Sequence, residues 1–145
     1  MSRENVKLVR ALQFDPDVDL AEAFRDDAAW AELARASASL FHSNFVSTFP
    51  GLLDDEKTYP GLDGLRAGWL AWLAPWATYR AEIIEAIDCG DRVLLLVHDF
   101  GRREGSAEEI RGNNAAVWTV REGKIARAEF HTGRDEALKA VGLEE

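Results

Sequence analysis

Asp99 is the carboxylate in this sequence that is best placed for acid or base chemistry. It follows an apolar run that contains Leu95 and Val97. Side chains of a strand point to opposite faces in turn, so Asp99 shares a face with Leu95 and Val97. Both faces of this strand are apolar, so the alternation alone leaves open which of them is the inner one. A carboxylate on an apolar inner face is a candidate general acid or base. The alternative is a strand-end carboxylate that pairs with Arg102 or Arg103, and the pattern leaves both interpretations open.

Two later strands supply further candidate pocket residues. By the same alternation Asn114 and Trp118 share one strand face. Phe130 and His131 are neighbours in the chain, so only one of them can face inward. We expect Asn114, Trp118 and Phe130 to contact a ligand, and Asn114 to orient substrate or water.

The three histidines do not predict a metal site. His42, His98 and His131 would have to converge, and nothing in their spacing indicates this. His98 lies on the strand face opposite Asp99, as expected for an outward histidine. We therefore predict no metal and no cofactor, and keep His42 as a candidate polar group of the pocket.

Composition narrows the class of protein. The formal net charge of −9 over 145 residues opposes binding to nucleic acid and to anionic membrane surfaces. Cys89 is the only cysteine, which excludes an intramolecular disulfide and fits a reducing compartment. The sequence has no apolar run long enough for a membrane span and no signal-peptide pattern at Met1. We expect one cytoplasmic domain over residues 1–145.

The hydrophobic periodicity predicts helices first and hairpin-linked strands afterwards. Trp69, Trp72 and Trp76 step by three and four, as in a helix with one apolar stripe. Asp19 and Asp63 are expected N-caps, and Gly112 a strand bulge. The predicted helices cover 3–13, a short segment after Asp19, 27–40, 62–76 and 134–141. The predicted strands cover 79–87, 92–100, 110–120 and 124–132.

This order of elements predicts an α+β fold, because a parallel sheet would need a helix between strands. We expect the sheet to be antiparallel and to curl around the helices. The tryptophan stripe would form one wall of an apolar pocket, and Trp69 and Trp72 are the expected contacts. Such a wall favours a small hydrophobic or ring-containing ligand.

The chain resembles SnoaL-like proteins of the nuclear-transport-factor-2-like superfamily. The resemblance is carried by segments 59–73, 88–93, 116–125 and 134–138, in the order in which the family shows them. It implies a cone-shaped curved sheet, wrapped by N-terminal helices, with a pocket inside. This is the cystatin-like α+β roll. It also implies a homodimer, buried at the outer sheet face, since both faces of 92–98 are apolar.

The resemblance does not imply one activity. Relatives with ketosteroid isomerase activity place a carboxylate base after the third helix, where this chain has Asn44 beside Phe45. Their second carboxylate corresponds to Ala116. Relatives with epoxide hydrolase activity have an Asp near Asp99 but a second Asp where this chain has Phe130. We therefore predict a small-molecule-binding protein, with Asn44 and Phe45 among its contacts.

The alternative hypothesis is a cofactor-independent enzyme of the isomerase, cyclase, dehydratase or hydrolase type. In that case Asp99 would be the general acid or base, and His42 or Asn114 would orient substrate or water.

Overall fold

The computed structural model describes residues 2–50 and 57–142, except for the side chains of Ser2, Glu136 and Ala140. Its helices are α1 (Ser2–Ala11), α2 (Leu20–Arg25), α3 (Asp27–Ser37), α4 (Gly61–Leu73) and α5 (Asp135–Ala140), and a short 3-10 turn covers Ala38–Leu40. Its strands are β1 (Phe41–Thr48), β2 (Tyr59–Pro60), β3 (Trp76–Cys89), β4 (Arg92–Arg103), β5 (Glu109–Arg121) and β6 (Lys124–His131).

Within these residues the strands form one curved, open sheet in the order β2-β1-β6-β5-β4-β3. The predicted hairpins β3–β4, β4–β5 and β5–β6 are antiparallel. β1 instead pairs with β6 in parallel, through Ser47 opposite Ala128 and Thr48 opposite Glu129. The sheet is therefore mixed rather than wholly antiparallel, because a strand before α4 inserts between β2 and β6. The α+β class is confirmed.

Two expected details are wrong, each for a local reason. Trp76 begins β3 instead of ending α4, because α4 stops at Leu73 and Pro75 lies in the turn that follows. Asp63 does not cap α4, since the helix already begins at Gly61 and no side chain caps it. Asp19, by contrast, caps α2 as expected: its carboxylate accepts a hydrogen bond from the Ala21 N–H.

Apolar residues of the sheet are buried on both faces. On the inner face, Val93 and Leu95 pack in one cluster with residues of α1, α2 and α4. On the outer face, Leu94 and Val117 pack with residues of α5. This alternation follows from the two-residue period of a strand. The helices before the sheet therefore decide which face becomes the inner one.

Candidate functional site

A cavity of about 380 Å³ lies between the N-terminal helices and the inner face of the sheet. Leu95, Val97 and Asp99 line it from β4, which decides the face that the sequence left open. Helix α4 closes one side with Leu65, Trp69 and Trp72. Its volume is in the range of small-molecule sites.

Aromatic rings form most of one wall. Trp69 lies at the centre, with ring centroids 5.3 Å from Trp72 and 5.1 Å from Phe130. Trp118 meets Phe130 edge to face at 5.7 Å. These are the separations that aromatic pairs prefer, so the wall is held together by its own ring contacts.

One polar network interrupts this apolar lining. The Tyr79 hydroxyl donates a hydrogen bond to Asp99 Oδ2, and Asn114 Nδ2 donates to the same oxygen. The Trp72 indole N–H donates to the Tyr79 oxygen at 3.0 Å. Asp99 is only 5% exposed and Tyr79 only 4%. Among the described residues that line the cavity there is no Lys or Arg.

Tyr79 acts as a donor in this network. Burial raises the pKa of its phenol well above the ordinary value, and the charge of Asp99 adds to the increase. The hydroxyl therefore keeps its proton throughout the physiological pH range. Asp99 Oδ2 therefore accepts two hydrogen bonds, one from the Tyr79 hydroxyl and one from the Asn114 amide.

The second oxygen of Asp99 is enclosed rather than paired. Oδ1 is buried and has no hydrogen-bond partner among the described residues. A Cβ built on Gly112 would lie 2.6 Å from this oxygen. The predicted bulge at Gly112 is wrong, because Gly112 pairs with Asp99 in a regular β4–β5 register. Glycine at this position provides room for the carboxylate.

Helix α2 holds the strand that carries Tyr79. The carboxylate of Asp19 that caps α2 also accepts a hydrogen bond from the Tyr79 backbone N–H at 3.0 Å. Arg25 donates to the carbonyls of Leu73 and Trp76, at 2.7 and 2.8 Å. The turn between α4 and β3 is therefore tied to α2 on both sides, which positions Tyr79 beside Trp72.

Most of the sequence-predicted contacts lie on this cavity. The lining includes Asp99, Trp69, Trp72, Asn114, Trp118 and Phe130. The surface ion-pair interpretation of Asp99 is wrong. Arg102 instead donates to the Ser106 carbonyl, and Arg103 lies over the Trp76 ring. Whether any of these side chains contacts a ligand remains a prediction.

Three predicted residues lie elsewhere, because the segment after the third helix, for which the sequence predicts no strand, is strand β1. Asn44 is exposed, and its N–H donates to His42 Nδ1 at 3.1 Å. The other nitrogen of His42 lies 3.4 Å from Glu122. Phe45 is buried in the core against Phe41, with ring centroids 4.7 Å apart. None of His42, Asn44 and Phe45 is among the described residues that line the cavity.

The other two histidines occupy different surroundings. His98 is half-buried and lies 3.3 Å from Arg111 near the outer face. His131 pairs with Ala115, whereas Phe130 packs in the inner cluster, yet both Phe130 and His131 are among the residues that line the cavity. The His131 imidazole Nε2 lies 3.7 Å from Glu129, too far for a direct hydrogen bond, and the nearby imidazole is the main cause of the lowered Glu129 pKa. Residues 2–50 and 57–142 contain no cluster of three or more metal-ligating side chains.

Tyr79 is a candidate site residue that the sequence analysis does not identify. It is only the first residue of the predicted strand 79–87. The available signal was alternation along β3, because Tyr79, Ala81 and Ile83 share the cavity face. A tyrosine at the end of such a row, opposite the strand of Asp99, is a candidate hydrogen-bond partner.

Comparison with known proteins agrees with this geometry. A profile described as a SnoaL-like domain matches residues 17–128. A protein from Jannaschia described as a SnoaL-like polyketide cyclase shares 15% identity at a TM-score of 0.65, over 99% of this chain and 94% of its own. TerC, crystallised with polyporic acid, shares 19% identity at a TM-score of 0.63, over 96% of this chain and 98% of its own.

A further structural match has a ketosteroid isomerase-like fold. It is a protein from Catenulispora acidiphila in complex with trimethylamine, with 19% identity and a TM-score of 0.59, over 94% of this chain and 93% of its own. At these identities the likeness extends to the fold alone. None of the curated proteins compared with the chain matches it. Among the described residues, no helix combines the length and hydropathy that a bilayer span requires.

Proposed function

This chain belongs to the SnoaL-like domain family, and from its cavity we propose that it binds a small, apolar, ring-containing molecule. The observation that carries the proposal is the aromatic wall around one isolated polar network. Burial of a ring against Trp69, Phe130 and Trp118 would supply most of the binding free energy. The Tyr79–Asp99–Asn114 group would orient the ligand, since a few placed polar groups set specificity in such sites.

Two structural relatives support the proposal that this fold holds a small molecule. TerC was crystallised with polyporic acid, and the Catenulispora protein with trimethylamine. Both are small molecules, and each protein shares this fold. We carry over only the use of the fold to hold a small molecule, because the residues that line the cavity here decide which molecule fits.

Native mass spectrometry of freshly purified protein tests this proposal, together with calorimetric titration of borneol, a compact bicyclic alcohol. We expect a retained molecule or a dissociation constant of about 100 μM or tighter, since a ligand of that size can gain roughly 5–6 kcal/mol. Ala116→Phe fills the cavity from its buried lining and should weaken binding at least about tenfold.

The matched control is Ala29→Phe, at an exposed position of α3. It should leave borneol binding unchanged. Equal affinity in wild type, Ala116→Phe and Ala29→Phe would place any ligand outside the cavity and contradict the proposal.

A second candidate function is a cofactor-free enzyme of the isomerase, cyclase, dehydratase or hydrolase type. It is favoured by one observation, that Asp99 lies within hydrogen-bonding reach of Tyr79 and Asn114 inside the cavity. If Asp99 exchanges a proton with substrate, Asp99→Asn should lower turnover by about 10²–10⁴-fold. Asp91→Asn, in an exposed turn, is the control. Full turnover in a folded Asp99→Asn protein would eliminate this candidate.

A further inference from the structure

The side-chain amide of Asn114 has a defined orientation. Asn114 lines the cavity from β5, is half-buried, and meets Asp99 with one side of its amide. The amide atom directed at Asp99 Oδ2 is the Nδ2 donor. The carbonyl oxygen of Asn114 therefore points away from Asp99.

The donor groups of the network are directed at its other members. The Trp72 indole N–H is directed at Tyr79, the Tyr79 hydroxyl at Asp99, and the Asn114 amide NH₂ at the same carboxylate. The pKa of Tyr79, which burial and Asp99 raise, is lowered in part by the nearby Asn114 amide, so the same NH₂ group also lies on the Tyr79 side of the network. Because Tyr79 keeps its proton, this direction of donation does not reverse at physiological pH.

The acceptors differ in their access to a ligand. Asp99 Oδ1 is buried beside Gly112 and receives no hydrogen bond from a described residue. The Asn114 carbonyl oxygen belongs to a half-buried side chain of the cavity lining and lies on the side of the amide that faces away from Asp99. The polar atom that this network offers to a bound molecule is therefore an acceptor.

From this geometry we propose that the Asn114 carbonyl oxygen accepts a hydrogen bond from a hydroxyl or N–H group of the ligand. Asp99 is the positioning residue, because it holds the Asn114 amide in the orientation that this contact needs. The inference rests on the proposed function, since it concerns a molecule bound in the same cavity. It names the ligand class as an apolar ring compound that carries a donor, and it disfavours one that carries only a carbonyl or ether at that place.

The size of the preference follows from the alternatives. A ligand donor at Asn114 gains one hydrogen bond in a partly buried site, whereas a ligand carbonyl at the same place sets two acceptors against each other. We expect about tenfold discrimination, well below what a fully enclosed polar site achieves, because Asn114 keeps some access to water.

Borneol and camphor test the proposal, because they share one bicyclic skeleton and differ by a hydroxyl and a ketone at one carbon. Wild-type protein should bind borneol about tenfold more tightly by calorimetric titration. Asn114→Leu should remove that preference by weakening borneol while leaving camphor unchanged or tighter. Asn113→Leu, at the exposed neighbouring position whose side chain points to the other sheet face, should keep it.

Asp99→Asn tests the positioning role. An amide at position 99 can donate as well as accept, so Asn114 can turn its NH₂ into the cavity. In Asp99→Asn the preference for borneol over camphor should fall to about twofold or reverse. The mean affinity for the two ligands should change by a smaller factor than this preference does. A merely structural role for Asp99 would weaken both ligands equally.

Equal binding of borneol and camphor to wild type, or a camphor preference, would overturn the inference and leave the proposed function standing. Failure of both ligands to bind would overturn the inference, and the absence of any retained molecule in native mass spectrometry as well would also overturn the proposed function. If Asp99→Asn does not fold, the preference of wild type for borneol over camphor, and its loss in Asn114→Leu, still decide whether Asn114 accepts a hydrogen bond from the ligand.

Discussion

At the scale of single residues, the absence of a side chain at Gly112 makes the buried carboxylate possible. Asp99 has little freedom to yield, because Tyr79 and Asn114 both hold its Oδ2. A methyl group at position 112 would come within 2.6 Å of Oδ1. Gly112→Ala should therefore cost about 1–3 kcal/mol in the free energy of unfolding, the usual effect of overpacking.

Gly133→Ala is the matched control, since a Cβ there would meet nothing within 4 Å. Chemical denaturation of the two variants measures the difference. If both lose the same free energy of unfolding, the space beside Asp99 is not the reason for glycine at position 112.

At the scale of elements, helix α2 is a brace for the cavity as well as a part of the core. The Asp19 carboxylate caps this helix and also accepts a hydrogen bond from the backbone N–H of Tyr79, whereas the Asp26 carboxylate caps α3 through the Ala29 N–H. Asp19→Ala should destabilise the protein by roughly 2–3 kcal/mol, a cap plus a second hydrogen bond, against about 1 kcal/mol for Asp26→Ala. Thermal and chemical unfolding measure the loss of stability in Asp19→Ala and in Asp26→Ala.

The Asp19 variant should also affect the cavity. Without its anchor the start of β3 can shift, and Tyr79 would lose its fixed position beside Asp99. Borneol binding should therefore weaken in Asp19→Ala and stay unchanged in Asp26→Ala. Identical binding in the two variants would mean that α2 does not position the network.

At the scale of the whole molecule, the homodimer that the resemblance implies remains a prediction. The homodimer prediction rests on the apolar outer face of β4. Helix α5 covers part of that face, where Leu94 and Val117 are fully buried. The dimer would therefore use the part of the outer face that α5 leaves open, where Leu96 is only half-buried. Light scattering at micromolar concentration should give about twice the 16.1 kDa chain mass. A purely monomeric species would contradict the prediction.

The sequence by itself predicted the elements whose signals are local. The helices and the three β-hairpins follow from hydrophobic periods and turn residues, so their existence and order were predictable from a few neighbouring positions. β1 was not, because its pairing with β6 is irregular between Phe41 and Val46 and its alternation is broken. Its parallel partner lies about eighty residues away, and no local pattern records such a contact.

The sequence also indicated Asp99, the tryptophans of α4 and Asn114 as members of one apolar cavity, since strand alternation places each on a definite face. Only the tertiary structure decided which face of β4 is inner, because both are apolar and the packed helices make the choice. It also decided that Asp99 meets Tyr79 rather than an arginine, and that Gly112 provides space rather than a bulge. The physical reason is that burial and hydrogen bonding depend on residues far apart in the chain, whereas periodicity records only neighbours.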